Sequence, residues 1–151
     1  MLDLMTVTRA LTDENRVRIL LALRGREMCV CQVTAFLDLS PSTTSKHLSI
    51  LKQARLIESR KKGKWVYYRL ADNAGTPALV RGALAWLIDS AKDLPTIRED
   101  ARRIEDILER EIQICSGMGV DADSFHSLEI HTLSDTDAVV SSNEAAEDEA
   151  L

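Results

Sequence analysis

The sequence predicts a mainly α-helical fold with one small β-hairpin. Apolar residues recur at helical spacing along most of residues 2–115. One stretch differs, because residues 56–70 have strand-forming side chains on one arm and Gly63 in a turn, which predicts a hairpin. The hairpin follows a short helix, a tight turn and a second helix. That order is typical of a winged helix-turn-helix, in which the hairpin is the wing.

The first three helices are predicted from apolar spacing and from residues that cap helix ends. They cover 2–11, about 15–23 and about 30–37. Thr12 or Asp13 can cap the second helix, and an acidic residue there also opposes the positive end of the helix dipole. The second helix is rich in Ile and Leu, so we expect it near the centre of the core.

The second helix of the helix-turn-helix is predicted over about 41–54. Ser40 is a good N-cap and Pro41 a good first helical residue. Spacing predicts an apolar side and outer faces that are small, polar and basic. The apolar side holds Thr44, Leu48 and Leu51, and the outer faces hold Ser42, Thr43, Ser45, Lys46 and Ser49.

The net charge of −5 is a sum over unlike parts of the chain. Residues 117–151 contain nine acidic residues and no Lys or Arg, so residues 1–116 carry +4. Residues 41–70 contain one acidic residue, Glu58, and eight basic ones: Lys46, Lys52, Arg55, Arg60, Lys61, Lys62, Lys64 and Arg69. A basic block within a helix-turn-helix predicts a polyanion partner, whatever the charge of the whole chain.

Composition divides the chain at about residue 116. Residues 1–116 are predicted to form a winged helix-turn-helix domain for DNA binding and dimerisation. Residues 117–151 are predicted to be an acidic, disordered tail, because they are rich in Ser, Asp, Glu and Ala and show no clear period.

Two helices are predicted after the hairpin. The first starts at Thr76-Pro77, and Pro95 ends it. The second covers about 96–115 and has a narrow apolar stripe: Ile97, Ala101, Ile104, Leu108, Ile112 and Cys115. Such a stripe on a terminal helix is typical of a dimer seam, so we expect a homodimer formed through terminal helices. The other interpretation is packing of the stripe on the chain's own core.

The expected redox state of the cysteines depends on the cellular compartment. No apolar run approaches the roughly 18 residues of a membrane span, and the N-terminus lacks the features of a secretory signal. We therefore expect a cytoplasmic protein without a membrane partner, with reduced cysteines. The count of three is odd, so a closed set of disulfides is not expected. Cys29 and Cys31 are separated by one residue. They are interpreted either as reactive or metal-binding thiols or as small buried apolar residues.

The element order and three motifs resemble the ArsR/SmtB family of metal-responsive winged-helix repressors. EMCVCQV is similar to the family's metal box, LSPSTTSKHLSILKQARLI to its recognition helix, and KKGKWVYYRL to its wing. The resemblance covers about residues 5–115. It implies a dimeric repressor that binds double-stranded operator DNA.

The resemblance to arsenic-responsive members implies that Cys29 and Cys31 bind As(III) or Sb(III) as the inducer. Such members often have a third cysteine three residues further on, where this chain has Thr34. Cys115 is the remaining candidate for a third ligand, within one subunit or across the dimer, and it could equally be a seam residue. No histidine lies in the helices after Pro77, which argues against the zinc site of other members.

Closing Cys29 and Cys31 on one ion requires a local change of structure. Thiolates select soft or borderline ions. Residues two apart in an ideal helix point about 200° apart, so the pair can chelate only where the first helical turn is frayed or unwound. Strain there can re-aim the recognition helix that follows, which would couple inducer binding to DNA release.

The recognition helix is expected to insert its N-terminal half into the major groove. Its candidate contacts with bases or phosphates are Ser42, Thr43, Ser45 and Lys46, with His47 behind them as a phosphate contact or a packing residue. The candidate wing contacts with phosphates or the minor groove are Lys61, Lys62 and Lys64. Two copies related by a twofold axis would fit an inverted-repeat operator.

The predicted function is a transcriptional repressor released from DNA by As(III) or Sb(III), without an organic cofactor. Three other interpretations remain: a thiol-redox switch on the same fold, a sensor of another soft metal ion, and an architectural DNA binder with inert cysteines. An enzyme is not expected. The spacing is Cys-x-Cys rather than Cys-x-x-Cys, and no nucleophile triad, Gly-rich phosphate loop or paired carboxylates are apparent.

Overall fold

The computed structural model of the chain describes residues 1–110, with the side chain of Leu2 excepted. By internal contacts the chain divides into one unit covering Met1–Val120 and another covering Asp121–Leu151. The predicted acidic tail, 117–151, and Cys115 lie outside the described residues.

Six helices and three strands make up the part of the chain that the structure describes. In chain order they are α1 (Leu2–Ala10), α2 (Glu14–Ala22), β1 (Met28–Cys29), α3 (Val30–Leu37), α4 (Pro41–Gln53), β2 (Ile57–Lys62), β3 (Trp65–Leu70), α5 (Ala78–Ala91) and α6 (Pro95–Glu109). The predicted helices and hairpin are thereby confirmed, with boundaries shifted by a residue or two; the last helix is described only as far as Glu109.

Two helix starts form as the capping residues predict. The Asp13 side chain accepts a hydrogen bond from the Arg16 backbone N–H at 3.0 Å, so Asp13, rather than Thr12, caps α2. The Ser40 Oγ accepts from the Thr43 backbone N–H at 3.2 Å, and Pro41 is the first residue of α4. The Ser40 cap and Pro41 fix where the second helix of the helix-turn-helix begins.

The three strands form one antiparallel sheet in the order β1-β3-β2. In the wing, Lys62 pairs with Trp65, which leaves Gly63 and Lys64 as the loop. Gly63 has a φ of +62°, a conformation that side-chain-bearing residues rarely adopt. The strand β1 was not predicted, because two residues are too short to show an alternating pattern. It joins the sheet by pairing Met28 with Tyr68 and Cys29 with Tyr67.

The core is centred on α3, in which seven of the eight residues are buried. Phe36 is among its largest fully buried side chains, and α2 contributes Ile19 and Leu20. The apolar side of α4 also lies in the core as predicted, formed by Thr44, Leu48 and Leu51. The helix that carries Cys31 is therefore surrounded by packed neighbours, so a shift at its start is transmitted to them.

The apolar stripe of α6 packs partly on its own chain, and its role as a dimer seam stays a prediction. Ile104 and Ile107 are buried within a single chain, and α6 contacts α2 and α3. Ile97, Ala101 and Leu108 are half-buried. A narrow stripe has the same period whether it faces another copy or its own core, and here α2 and α3 supply the partner surface.

A paired arginine and aspartate hold α6 to this core. The Arg18 Nε and Nη2 donate to the two carboxylate oxygens of Asp100 at 2.8 and 2.7 Å. The Arg18 guanidinium also lies 5.1 Å from the centre of the Phe36 ring, within cation–π range. The hydrogen bond to Asp100 raises the pKa of Arg18.

Replacing Asp100 with alanine is expected to lower the free energy of unfolding by about 2 kcal/mol, because a two-pronged charged hydrogen bond is lost at a residue that is 7% exposed. Urea denaturation measures the change. The matched control is Asp93→Ala, whose carboxylate lies 3.8 Å from Arg98 with both side chains exposed, and it should change stability by less than about 0.5 kcal/mol. Equal losses in the two variants would contradict this account.

None of the helices within residues 1–110 is long and apolar enough to cross a membrane.

Candidate DNA-binding surface and thiol pair

The N-terminal end of α4 carries a cluster of hydroxyl groups. The Ser40 Oγ lies 2.8 Å from the Thr43 Oγ1 and 3.2 Å from the Ser42 Oγ. Ser42 is exposed and Thr43 is half-buried. Both hydroxyls are therefore at the surface end of the recognition helix, and each can exchange its contact with Ser40 for one with DNA.

The other predicted contacts on α4 differ in exposure. Lys46 is exposed, as a phosphate contact requires. The Ser45 Oγ is buried and has no hydrogen-bond partner among the described residues. The Ser45 hydroxyl is therefore turned away from solvent in this conformation, although the residue as a whole is half-buried, and its DNA contact stays a prediction. Helical spacing alone did not separate the two, because Ser45 lies at the border between the buried and exposed faces.

His47 faces the neighbouring helix rather than solvent. Its Nδ1 is buried and lies 3.6 Å from the Asp13 Oδ1, at the start of α2. That distance is too long for a hydrogen bond but is close for two groups that attract when the imidazole is protonated. The buried Nδ1 fits the packing role predicted for His47, and its phosphate contact stays a prediction.

Exposed lysines stand at the tip of the wing. Lys61, Lys62 and Lys64 are all exposed, and the Lys64 Nζ lies 5.0 Å from the centre of the Trp65 ring. The two arginines of the hairpin are engaged elsewhere: Arg60 pairs with Glu27 and Arg69 with Glu58. The lysines therefore supply the wing's excess positive charge.

The two neighbouring cysteines belong to different elements. Cys29 ends β1 and is the N-cap of α3, with extended backbone angles, whereas Cys31 is the second residue of the helix. Each is 1% exposed. The helix therefore begins between them, and Cys29 lies outside it. Chelation still requires an opening, because both thiols are closed off from solvent.

A capping box fixes Cys29 in this position. Its side chain faces the backbone N–H of Gln32, and the Gln32 Oε1 accepts a hydrogen bond from the Cys29 backbone N–H at 2.7 Å. Gln32 is itself 1% exposed. Sequence reasoning missed Gln32, because cysteine is not among the usual capping residues. The sequence did contain one signal for it: a glutamine three positions after the N-cap, which is the spacing of a capping box.

The described residues offer two thiols and no third ligand beside them. Within residues 1–110, no group of three or more His, Cys, Asp or Glu side chains is arranged to hold a metal ion. Thr34 is buried, and its Oγ1 donates to the Val30 carbonyl at 2.7 Å.

An apolar surface is exposed on α1 and α5, two helices that contact each other. Trp86 is 64% exposed, and Leu4, Met5 and Leu79 are also exposed. Within residues 1–110, the largest exposed apolar side chain thus lies on α5 and not on the α6 stripe that the sequence favoured.

A helix-turn-helix with exposed hydroxyls and a lysine on its second helix, followed by a lysine-tipped hairpin, defines a winged-helix DNA-binding protein. Residues 13–59 match the family model described as bacterial regulatory protein, arsR family. This match covers the helix-turn-helix and both cysteines of the pair.

Relatives extend this match beyond the helix-turn-helix. The chain is 37% identical over 105 residues to the arsenic resistance transcriptional regulator ArsR1 of Pseudomonas putida, covering 69% of this chain and 79% of that protein. It is 44% identical over 73 residues to a CadC homologue of Staphylococcus aureus, a cadmium resistance transcriptional regulatory protein, covering 47% of this chain and 60% of that one. HlyU of Vibrio cholerae N16961 matches in structure with a TM-score of 0.51 at 26% identity, covering 60% of this chain and 94% of that chain. The chain belongs to the ArsR family of transcriptional regulators, which are DNA-binding proteins and not enzymes.

Proposed function

We propose that this protein is a transcriptional repressor that leaves its operator when As(III) or Sb(III) binds the thiols of Cys29 and Cys31. One observation carries the proposal. Cys29 ends a strand paired with the wing and also caps the first helix of the helix-turn-helix. An ion that moves Cys29 therefore acts on both DNA-contacting elements at once.

The chemistry of the pair suits arsenite. Each thiol replaces one hydroxyl of As(OH)₃, forming an As–S bond and releasing water, so the arsenic keeps its oxidation state. Soft sulfur donors favour this exchange over the hard oxygen donors that surround most metal sites. Cys29 and Cys31 supply two sulfurs, and Cys115 is the third ligand in this proposal.

Release follows from the incompatibility of the cap with the closed site. To share an ion with Cys31, the Cys29 Sγ must leave the Gln32 backbone N–H that it now faces. The first turn of α3 then loses its cap, and α3 packs directly against α4. The two arrangements are two states of one element, and inducer and DNA each favour one of them.

On the DNA side, Ser42, Thr43 and Lys46 contact the major groove, and the wing lysines contact phosphates or the minor groove. None of these side chains reads a base in the two-pronged way of Arg or Asn, so hydroxyl contacts, thymine methyl groups and DNA shape contribute to the choice of sequence. The operator is an inverted repeat bound by a homodimer.

The homodimer forms through the exposed apolar surface of α1 and α5. Replacing Trp86 with alanine is expected to weaken the dimer roughly 30-fold, since an exposed tryptophan in such a surface is typical of an energetic hot spot. Analytical ultracentrifugation measures the change. Asp89→Ala, an equally solvent-facing position on α5, is the control and should leave the dimer intact. Dimerisation unaffected by the tryptophan change would exclude this interface.

A second function, a thiol-redox switch on the same fold, is favoured by the position of Cys29 and Cys31 on either side of the start of α3. In this alternative, oxidation at Cys31 holds the start of α3 in one state, and reduction returns it to the other. The same coupling through α3 would then respond to an oxidant instead of an ion.

One titration separates these functions. Full-length protein is reduced with a phosphine, which is then removed, and is bound to a duplex selected by the protein from a random library. Arsenite, antimonite, cadmium and hydrogen peroxide are added in separate series while fluorescence anisotropy reports release. Arsenite and antimonite should release the protein at low micromolar concentrations, on the order of the affinity of a thiol pair. Release by cadmium alone would identify a sensor of another soft metal ion, and release by peroxide alone would identify a thiol-redox switch.

A further inference from the structure

Gln32 links the thiol pair to the start of α3. Its side chain is buried, and the Oε1 accepts from the Cys29 backbone N–H at 2.7 Å. A buried amide is stable in an apolar core only when it is hydrogen-bonded. This bond therefore determines where both the Gln32 side chain and the Cys29 backbone lie.

The residue that Gln32 holds also belongs to the wing sheet. Cys29 pairs with Tyr67 of β3, and β3 pairs along its length with β2. Gln32 thus acts on a position shared by the helix-turn-helix and the wing, although it is itself closed off from DNA and solvent.

We propose that Gln32 is a positioning residue that sets how readily Cys29 and Cys31 close on an inducer. The inference rests on the proposed function. While the Gln32 amide holds the Cys29 backbone, the Cys29 Sγ stays on the helix cap and away from Cys31. Loss of this bond destabilises the capped, DNA-binding state and leaves the ion-closed state unaffected.

The test compares the arsenite concentration that releases half of the DNA from reduced, full-length variants. Gln32→Leu fills the same buried space without an acceptor and should lower that concentration about tenfold. Operator affinity without arsenite should change less than about twofold, because the capped state remains the dominant one. Gln32→Glu keeps an oxygen acceptor at the same distance along the side chain. Its half-release concentration of arsenite should therefore equal or exceed that of the wild type.

Thr34→Val is the matched control. It removes another buried 2.7 Å hydrogen bond from α3, the one from Thr34 to Val30, which does not involve Cys29. Its half-release concentration should equal that of the wild type. If Gln32→Leu and Thr34→Val gave the same value, or if Gln32→Leu lowered operator affinity as much as it lowered the arsenite requirement, Gln32 would have only a structural role.

An inducer-free measurement separates this inference from the proposed function. Amide hydrogen exchange at Cys29 should be slow in the wild type and in Thr34→Val, and fast in Gln32→Leu. Slow exchange in Gln32→Leu would overturn the inference. Wild-type protein that arsenite does not release would overturn the proposed function, and with it the inference. Wild-type protein that arsenite does release, with Gln32→Leu unchanged, would overturn the inference alone.

Discussion

Replacing Cys29 or Cys31 with serine is expected to raise the arsenite concentration needed for release at least about a hundredfold, because a hydroxyl binds arsenic far more weakly than a thiolate. Operator binding should survive. Serine is among the best N-cap residues, so Cys29→Ser keeps a side-chain acceptor at the start of α3. The half-release concentration in the anisotropy titration measures the effect.

The serine series also assigns the third ligand. Cys115→Ser removes a thiol outside the described residues, and a loss of response as large as that of the other two variants would identify Cys115 as a ligand. An unchanged response would leave Cys29 and Cys31 as a sufficient pair. Normal release from both Cys29→Ser and Cys31→Ser would refute the assignment of these cysteines to the inducer site.

Reversing the charge of the wing tip is expected to weaken operator binding on the order of a thousandfold at moderate salt. The variant changes Lys61, Lys62 and Lys64 to glutamate. Each lysine that neutralises a phosphate releases a counterion, so the slope of log affinity against log salt should also become shallower by about three. Affinity measured across a salt series gives both quantities.

A control variant with the same change in net charge separates the effect of where the reversed charges lie from the effect of the total charge. Lys92, Arg98 and Arg102 are exposed cations at the end of α5 and on α6, outside the helix-turn-helix and the wing. Changing all three to glutamate should weaken binding only slightly and leave the salt slope intact. Similar losses in the two triple variants, or a flat salt response of the wild type, would contradict the wing as a phosphate contact.

Local chemistry made the helix-turn-helix predictable. Ser40 and Pro41 mark the start of α4 because their roles depend on backbone geometry within a few residues, and the structure has the helix begin there. The wing is predictable for the same reason, since Gly63 and the aromatic strand after it specify a turn and a register.

Features that depend on distant partners were not predictable. The α6 stripe has the same spacing whether it faces another copy or α2 and α3, and only the fold decides between them. His47 and Ser45 share the recognition helix with Lys46, but which of them faces DNA depends on how α4 packs on its neighbours. The strand at Met28–Cys29 exists because β3 lies beside it.

The candidate thiol site was predictable only in part. Residue type and spacing identified Cys29 and Cys31, yet the position of the helix start between them depends on the capping box with Gln32. That box is what makes the pair a switch in this account, because it stabilises the arrangement that the inducer must undo.

The central claim is that inducer and operator favour different states of one element, and reciprocal binding tests it most directly. Calorimetry would measure the affinity of reduced, full-length protein for arsenite, alone and saturated with operator. The account predicts that operator weakens arsenite binding by the same factor by which arsenite weakens operator binding, about five- to 150-fold for a typical allosteric protein. Equal arsenite affinity with and without operator would contradict it.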